Sequence, residues 1–176
     1  MEQPSNTLRW MVLNAAMTAL GLTLPMAFHA VGLGSKFLPM LLPILLNGFL
    51  SPAGWAIAVG VLTPLISSLA TGMPPLFPPV AGVMMVEGAI LAATASIVYR
   101  ATGKRIWPAL IMAVLCGRLT SVGLSWVMAA ALDLPARLSV AALLMQGLPG
   151  VALQLAVIPP VVRTLRARRG PLFEHV

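Results

Sequence analysis

Residues 82–98 read GVMMVEGAILAATASIV, an apolar run that contains a single charged side chain, Glu87. A carboxylate in hydrocarbon is costly unless it is paired, solvated or protonated, so it persists mainly where a function uses it. A second apolar run, between Trp107 and Leu132, contains a single basic residue, Arg118. Together the two runs predict a polar pocket inside a membrane protein.

The composition of the whole chain agrees with this interpretation. Of its 176 residues, 59% are hydrophobic and 9% are charged, and the mean hydropathy is +0.96. A soluble domain carries about a quarter charged residues, so this chain has too little polar surface to cover a globule. We therefore expect a multi-pass protein of the cell membrane, in a prokaryote the plasma membrane.

The apolar runs predict an all-α integral membrane protein, a compact bundle of six transmembrane helices that forms one domain over residues 1–176. The predicted spans cover residues 8–30, 37–50, 52–70, 80–99, 106–132 and 138–165. The second span is short for a hydrocarbon core about 30 Å thick, so it should be buried among its neighbours or be partly irregular. Residues 71–79 contain four prolines and no charge, which is typical either of a stiff lid over the outer face or of a rigid connector.

Basic residues are concentrated in one of the two alternating sets of loops and termini. The formal net charge is +7, and the cytoplasmic side of a membrane protein carries the excess of Lys and Arg. One set of loops and termini contains Arg9, Arg100, Lys104, Arg105, Arg163, Arg166, Arg168 and Arg169, and the alternate loops contain Lys36 and Arg137. Both termini are therefore predicted to be cytoplasmic, and the basic residues form no aromatic-interleaved patch that would indicate nucleic acid.

Enzyme signatures are absent from the sequence. It contains no HExxH or GxSxG motif, no Cys/His cluster and no phosphate-binding glycine loop with a lysine. The lone cysteine, Cys116, lies in an apolar run and cannot form an intramolecular disulfide. We therefore expect no catalytic residue, no metal and no cofactor.

Polar side chains near the two buried charges are candidates for ligand binding. They are Gln146 in the sixth span, Ser121, Ser125 and Trp126 in the fifth, and His29 at the end of the first. Hydroxyl, amide and indole groups on an apolar wall suit a small, partly aromatic solute. Glu87 and Arg118 either form a structural pair or anchor the ligand separately. Asn14, Asn47 and Gln154 are expected to make hydrogen bonds between helices instead.

Small residues on the first span predict a helix contact. Ala15 and Ala19 lie one turn apart on one face, with Ala16 beside them, and such spacing lets another helix approach closely. The partner is either a second protein or a helix of the same bundle.

The order of these features resembles the substrate-binding S components of energy-coupling factor (ECF) vitamin transporters. The resemblance rests on the helix-1 alanine pair, residues 42–55 (LPILLNGFLSPAGW), residues 62–75 (LTPLISSLATGMPP) and the Glu87-Gly88 pair. It implies a six-helix protein that binds a water-soluble vitamin or precursor near the outer face, under the loops that join helices 1–2 and 3–4. It also implies that the alanine pair docks a transmembrane coupling protein, which carries two cytosolic ATPases.

The sequence does not determine which vitamin is bound. Arg118 suits a carboxylate such as that of pantothenate, whereas Glu87 suits a donor-rich heterocycle such as a pyridoxine-like or hydroxymethylpyrimidine compound. The alternative function is a small structural or assembly subunit of a membrane complex, in which Glu87 and Arg118 are a structural pair.

Overall fold

The structure, a computed structural model, describes residues 4–30, 32, 34–77, 79–132 and 140–167, of which 4–6, 35, 36 and 140–146 are described by their backbone alone. Within these ranges the regular elements are all helices, as the sequence predicts. They are α1 (Pro4–Ala30), α2 (Gly34–Phe37), α3 (Leu41–Leu50), α4 (Ala53–Thr71), α5 (Val80–Ala101), α6 (Ile106–Ala131) and α7 (Val140–Ala167).

Five helices in the described ranges, α1, α4, α5, α6 and α7, are long and apolar enough to cross a membrane. The predicted second span, residues 37–50, is instead broken. The helix α2 ends at Phe37, Leu38 adopts a left-handed backbone with φ of 47°, and α3 begins at Leu41. Since a proline disfavours helical backbone at the residue before it, Pro39 accounts for a break at Leu38. The remaining helix, α3, has 10 residues and is about 15 Å long.

The short helix α3 is enclosed by its neighbours. Leu41, Ile44 and Leu45 are fully buried, and α3 contacts α1, α4, α5 and α7. A helix of this length leaves part of the membrane thickness unspanned, and burial against other helices removes the need for it to reach both surfaces. The fold therefore places α3 and the break before it in the interior of the bundle.

The helices α4 and α5 touch along their backbones at two glycines. A Cβ atom on Gly60 would lie 2.6 Å from the carbonyl carbon of Gly88, and one on Gly88 would lie 2.7 Å from the carbonyl oxygen of Gly60. Either position tolerates only glycine at this separation. This close approach fixes the height and rotation of α5 at the residue next to Glu87.

A buried polar cluster joins α1, α3 and α5. The Asn47 amide donates to Asn14 Oδ1 over 2.8 Å, the Ser51 hydroxyl donates to Asn47 Oδ1 over 2.8 Å, and the Ser96 hydroxyl donates to the Ser51 carbonyl over 3.0 Å. The prediction that Asn14 and Asn47 make interhelical hydrogen bonds is confirmed. Gln154 is buried in α7.

Basic residues of different helices meet at the same end of the bundle. Arg166 in α7 donates to the Lys104 carbonyl in the α5–α6 turn over 3.1 Å and lies 5.0 Å from the ring centroid of Tyr99. Arg100 donates to the Ser96 carbonyl over 3.1 Å, next to the polar cluster. Arg137, Arg168, Arg169 and the side chain of Lys36 lie outside the described part of the chain.

Candidate functional site: a buried ion pair

Glu87 lies on α5, seven residues after the helix begins at Val80. This separation corresponds to a depth of about 10 Å at 1.5 Å per residue. Only 3% of Glu87 is exposed. Its position follows from the contact between its neighbour Gly88 and Gly60, which holds this turn of α5 against α4.

Arg118 on α6 forms an ion pair with Glu87, with Nη2 donating to Oε1. The two helices are close enough for this because Leu91, one turn below Glu87, packs on Gly117, where a Cβ atom would lie 3.0 Å from Leu91 Cδ1. The exposed fractions of the two side chains are 18% for Arg118 and 4% for Glu87. The pair is thus withdrawn from solvent on the carboxylate side and partly open on the guanidinium side.

The guanidinium group of Arg118 extends beyond α6 to α7. A Cβ atom on Gly147 would lie 2.7 Å from Arg118 Nη1 and 3.8 Å from Leu38 Cδ1. The absence of a side chain at Gly147 therefore makes room for the guanidinium group. A Cβ atom on Gly150, one turn further along α7, would lie 2.7 Å from the Phe37 carbonyl oxygen. The ion pair consequently lies where α5, α6, α7 and the break between α2 and α3 meet.

The chemistry available at this junction is recognition by charge and hydrogen bonding. A guanidinium group presents donors in a fixed planar arrangement that matches carboxylates, and a carboxylate accepts hydrogen bonds from ligand N–H and O–H groups. While the two side chains face each other, each neutralises the other's charge, so the site has no uncompensated charge in the low-dielectric interior. Among the described residues, no group of three side chains is suited to hold a metal ion.

Of the other predicted ligand-binding residues, Ser121 and Ser125 lie closest in rotation to Arg118. They follow it by three and seven residues on α6, so they share its face of the helix, and both are half-buried. Trp126 is 63% exposed and lies on the outer surface of α6. The two serines therefore lie on the same face of α6 as Arg118, and the indole is exposed.

His29 and Gln146 differ in how they relate to the pair. The imidazole of His29 occupies the position that a Cβ atom on Gly34 would take, so it packs the end of α1 against α2. Gln146 immediately precedes Gly147 in α7, and its side chain lies outside the described part of the chain.

The alanines of α1 lie on an open face. Ala15, Ala16 and Ala19 are exposed, whereas Asn14 and Met17 of the same helix are buried against the bundle. Within the described ranges, these three alanines are therefore not buried against another helix of the same chain. They form a shallow surface of small side chains that a helix of another protein can approach.

Comparison with known families gives one match that covers most of the chain. Residues 9–162 match the model of the ECF transporter substrate-specific component. The chain belongs to this family. No curated protein and no solved structure matches it.

Membership in this family makes the chain an S component, a substrate-specific subunit for transport that associates with the coupling protein and ATPases of an ECF module in a membrane. The resemblance inferred from the order of sequence features is thereby confirmed.

Sequence reasoning did not identify two residues that shape the site, Gly147 and Leu38. Gly147 gives space to the guanidinium group, and the left-handed backbone at Leu38 brings the start of α3 toward it. A signal for Leu38 was present, because Pro39 follows it and disfavours helix at that position. No comparable signal marks Gly147, since glycine is frequent in membrane helices.

Proposed function

We propose that this S component captures a small water-soluble vitamin or vitamin precursor at the outer face of a prokaryotic plasma membrane. It then delivers the compound with a transmembrane coupling protein and two cytosolic ATPases. The observation that carries the proposal is the Glu87–Arg118 ion pair at the junction of α5, α6, α7 and the α2–α3 break. Ionisable residues inside a membrane bundle are costly and typically mark a substrate path or site.

The distribution of charge supports an outward-facing site. Arg100, Lys104 and Arg166 lie together at one end of the bundle, and the excess of basic residues marks the cytoplasmic side. Glu87 is near the opposite end of α5. In this orientation both termini are cytoplasmic and the pair lies beneath the outer surface.

This orientation is tested by labelling single cysteines in a Cys116→Ala background. A cysteine at Lys36 is expected to react with a membrane-impermeant maleimide added to intact cells, and a cysteine at Arg105 is expected to react only after the cells are opened. Reaction of the Lys36 cysteine only in opened cells would reverse the orientation.

Ligand capture at the pair follows from an exchange of partners. A ligand carboxylate or carbonyl accepts from Arg118, and a ligand N–H or O–H donates to Glu87, so each charged group keeps a partner when the ligand enters. Ser121 and Ser125 on α6 and Gln146 on α7 are proposed to orient the remainder of the molecule. Trp126 and His29 would contribute only if binding changes their surroundings.

The exposed alanines of α1 are proposed to dock the coupling protein. Replacing Ala15 and Ala19 with leucine is expected to abolish transport because bulky side chains hold the partner helix away. Ligand binding should persist because the pair lies on α5 and α6. The matched control is Ala130→Leu, since Ala130 is also exposed but lies on α6.

The measurement is a pull-down of the coupling protein and ATPases with each variant, together with uptake into proteoliposomes. We expect the double variant to lose partner recovery and uptake. The Ala130→Leu control should retain partner recovery and uptake. Full recovery of the partners by the Ala15→Leu/Ala19→Leu variant would remove these residues from the docking surface.

The alternative, a structural or assembly subunit, is favoured by one observation, the direct contact between Glu87 and Arg118. A pair that serves only to hold α5 to α6 would affect stability and leave ligand affinity unchanged. The double-mutant cycle described in the Discussion separates these roles.

A further inference from the structure

The turn between α4 and α5 exposes large apolar side chains. Leu69 at the end of α4 is 70% exposed, and Leu76 and Phe77 in the turn are 60% and 73% exposed. No charged residue occurs from residue 53 to residue 86, so the whole of α4, the turn and the first seven residues of α5 carry no charge. Such a surface is poorly suited to contact with bulk water.

These side chains continue an apolar stripe of α4. Leu62, Ile66 and Leu69 are exposed at intervals of four and three residues, which places them on one face of the helix. Met73, just past the end of α4, is the next large hydrophobic side chain that is exposed. With 19 residues, α4 is about 28 Å long and by itself nearly matches a hydrocarbon core of about 30 Å. The turn therefore begins at the depth where acyl chains give way to headgroups.

Several backbone groups of the turn have partners inside the protein, which suits this part of the turn to that depth. The Ser67 hydroxyl donates to the Met73 carbonyl over 2.6 Å, and the Met73 N–H donates to the Thr71 hydroxyl over 3.2 Å. The Pro75 carbonyl accepts from the Ala81 N–H over 3.1 Å. Proline has no N–H to satisfy, so the prolines of the turn reduce the number of donors that would otherwise need water.

We propose that the α4–α5 turn is a membrane-contact surface whose partner is the lipid of the outer leaflet, with Met73, Leu76 and Phe77 inserted at the boundary between headgroups and acyl chains. The sequence alone predicted a lid or a connector at residues 71–79. Contact with lipid accounts for the exposure of these apolar side chains. The inference depends on the protein's position in a membrane and not on the identity of its ligand.

The test uses an environment-sensitive fluorophore. Cys116 is replaced with alanine, a cysteine at Phe77 is labelled with NBD, and the protein is placed in lipid nanodiscs, in which both faces are accessible. The reference is the same label at Arg105, an exposed position in the charged α5–α6 turn. Nitroxide lipids labelled at the headgroup or along the acyl chain and aqueous iodide serve as quenchers.

The expected result at position 77 is emission at shorter wavelength than at position 105, quenching by the shallow nitroxide, and a several-fold smaller iodide quenching constant. Equal iodide quenching at both positions would place the turn in water and overturn the proposal. A blue shift at position 77 without nitroxide quenching would place the label against protein, which also contradicts it. A label at Leu76 repeats the measurement if the Phe77 variant does not fold.

Discussion

Removing either charge of the ion pair is expected to destabilise the protein, and removing both should restore part of the loss. Arg118→Met leaves Glu87, whose side chain is 4% exposed, without its counterion, at a cost of about 3 kcal/mol. Glu87→Gln leaves a guanidinium group with 18% of its side chain exposed. Its retained hydration limits the cost to about 2 kcal/mol.

The double variant distinguishes a pair from two independent charges. Two independent losses would add to about 5 kcal/mol, whereas a broken pair without a stranded charge should cost about 2 kcal/mol, which gives a coupling of about 3 kcal/mol. Unfolding in mixed detergent micelles measures the free energies of all four proteins. Additive losses would refute the reasoning from the buried pair.

The same four proteins test ligand binding. If the charges contact the ligand, each single variant should lower affinity by about 2 kcal/mol, close to thirtyfold in dissociation constant. Isothermal titration against a panel of water-soluble vitamins and precursors measures this loss. Coupling in stability with unchanged affinity in folded single variants would leave the pair a structural role only, and the ligand site would then be sought near Gln146 and Trp126.

Two further predictions concern the surroundings of the pair and the polar cluster. Gly147→Val is expected to displace the Arg118 guanidinium group and so lower both thermal stability and ligand affinity. The control is Gly123→Val, which should change both quantities much less because a Cβ atom there meets nothing within 4 Å. Equal effects of the two substitutions would mean that the Arg118 guanidinium group does not need the space left by Gly147. Asn47→Leu leaves Asn14 Oδ1 without its amide donor and should cost about 1–3 kcal/mol, while adding Asn14→Leu should recover part of that loss. Chemical unfolding checks this, and a further full loss on adding the second substitution would contradict a shared hydrogen bond.

The helices could be predicted from the sequence because each is an apolar run with polar or proline-rich ends. The predicted span 106–132 and the observed Ile106–Ala131 helix show how closely such runs define the ends. The shortness of the apolar run 37–50 predicted burial or an irregular segment, and the structure shows both. The position of the break at Leu38 was not predicted, because the residues on both sides of Pro39 are apolar. The proline rule at Leu38 is a local signal that the apolar run obscured.

The rotation of each helix was harder to predict. In a soluble protein the apolar face points inward, but in a membrane the lipid-facing and core-facing sides are both apolar. Trp126 and Ser125 are adjacent in sequence, yet Trp126 is exposed and Ser125 is half-buried. The direction of charged residues can be predicted, because charged side chains are unfavourable in contact with lipid. Glu87 and Arg118 could therefore be assigned to the interior of the bundle. The sequence did not determine whether they pair.

The central claim, that this S component holds a small water-soluble ligand at the Glu87–Arg118 pair, is tested most directly by mass spectrometry of the small molecules released when the purified protein is denatured. The protein is produced in cells grown on rich medium, and the Glu87→Gln/Arg118→Met variant is purified alongside. The account predicts a vitamin or precursor in near-stoichiometric amount from the unsubstituted protein and its loss from the folded double variant. Equal recovery of the compound from both proteins, or no compound from either across a panel of supplied vitamins, would contradict it.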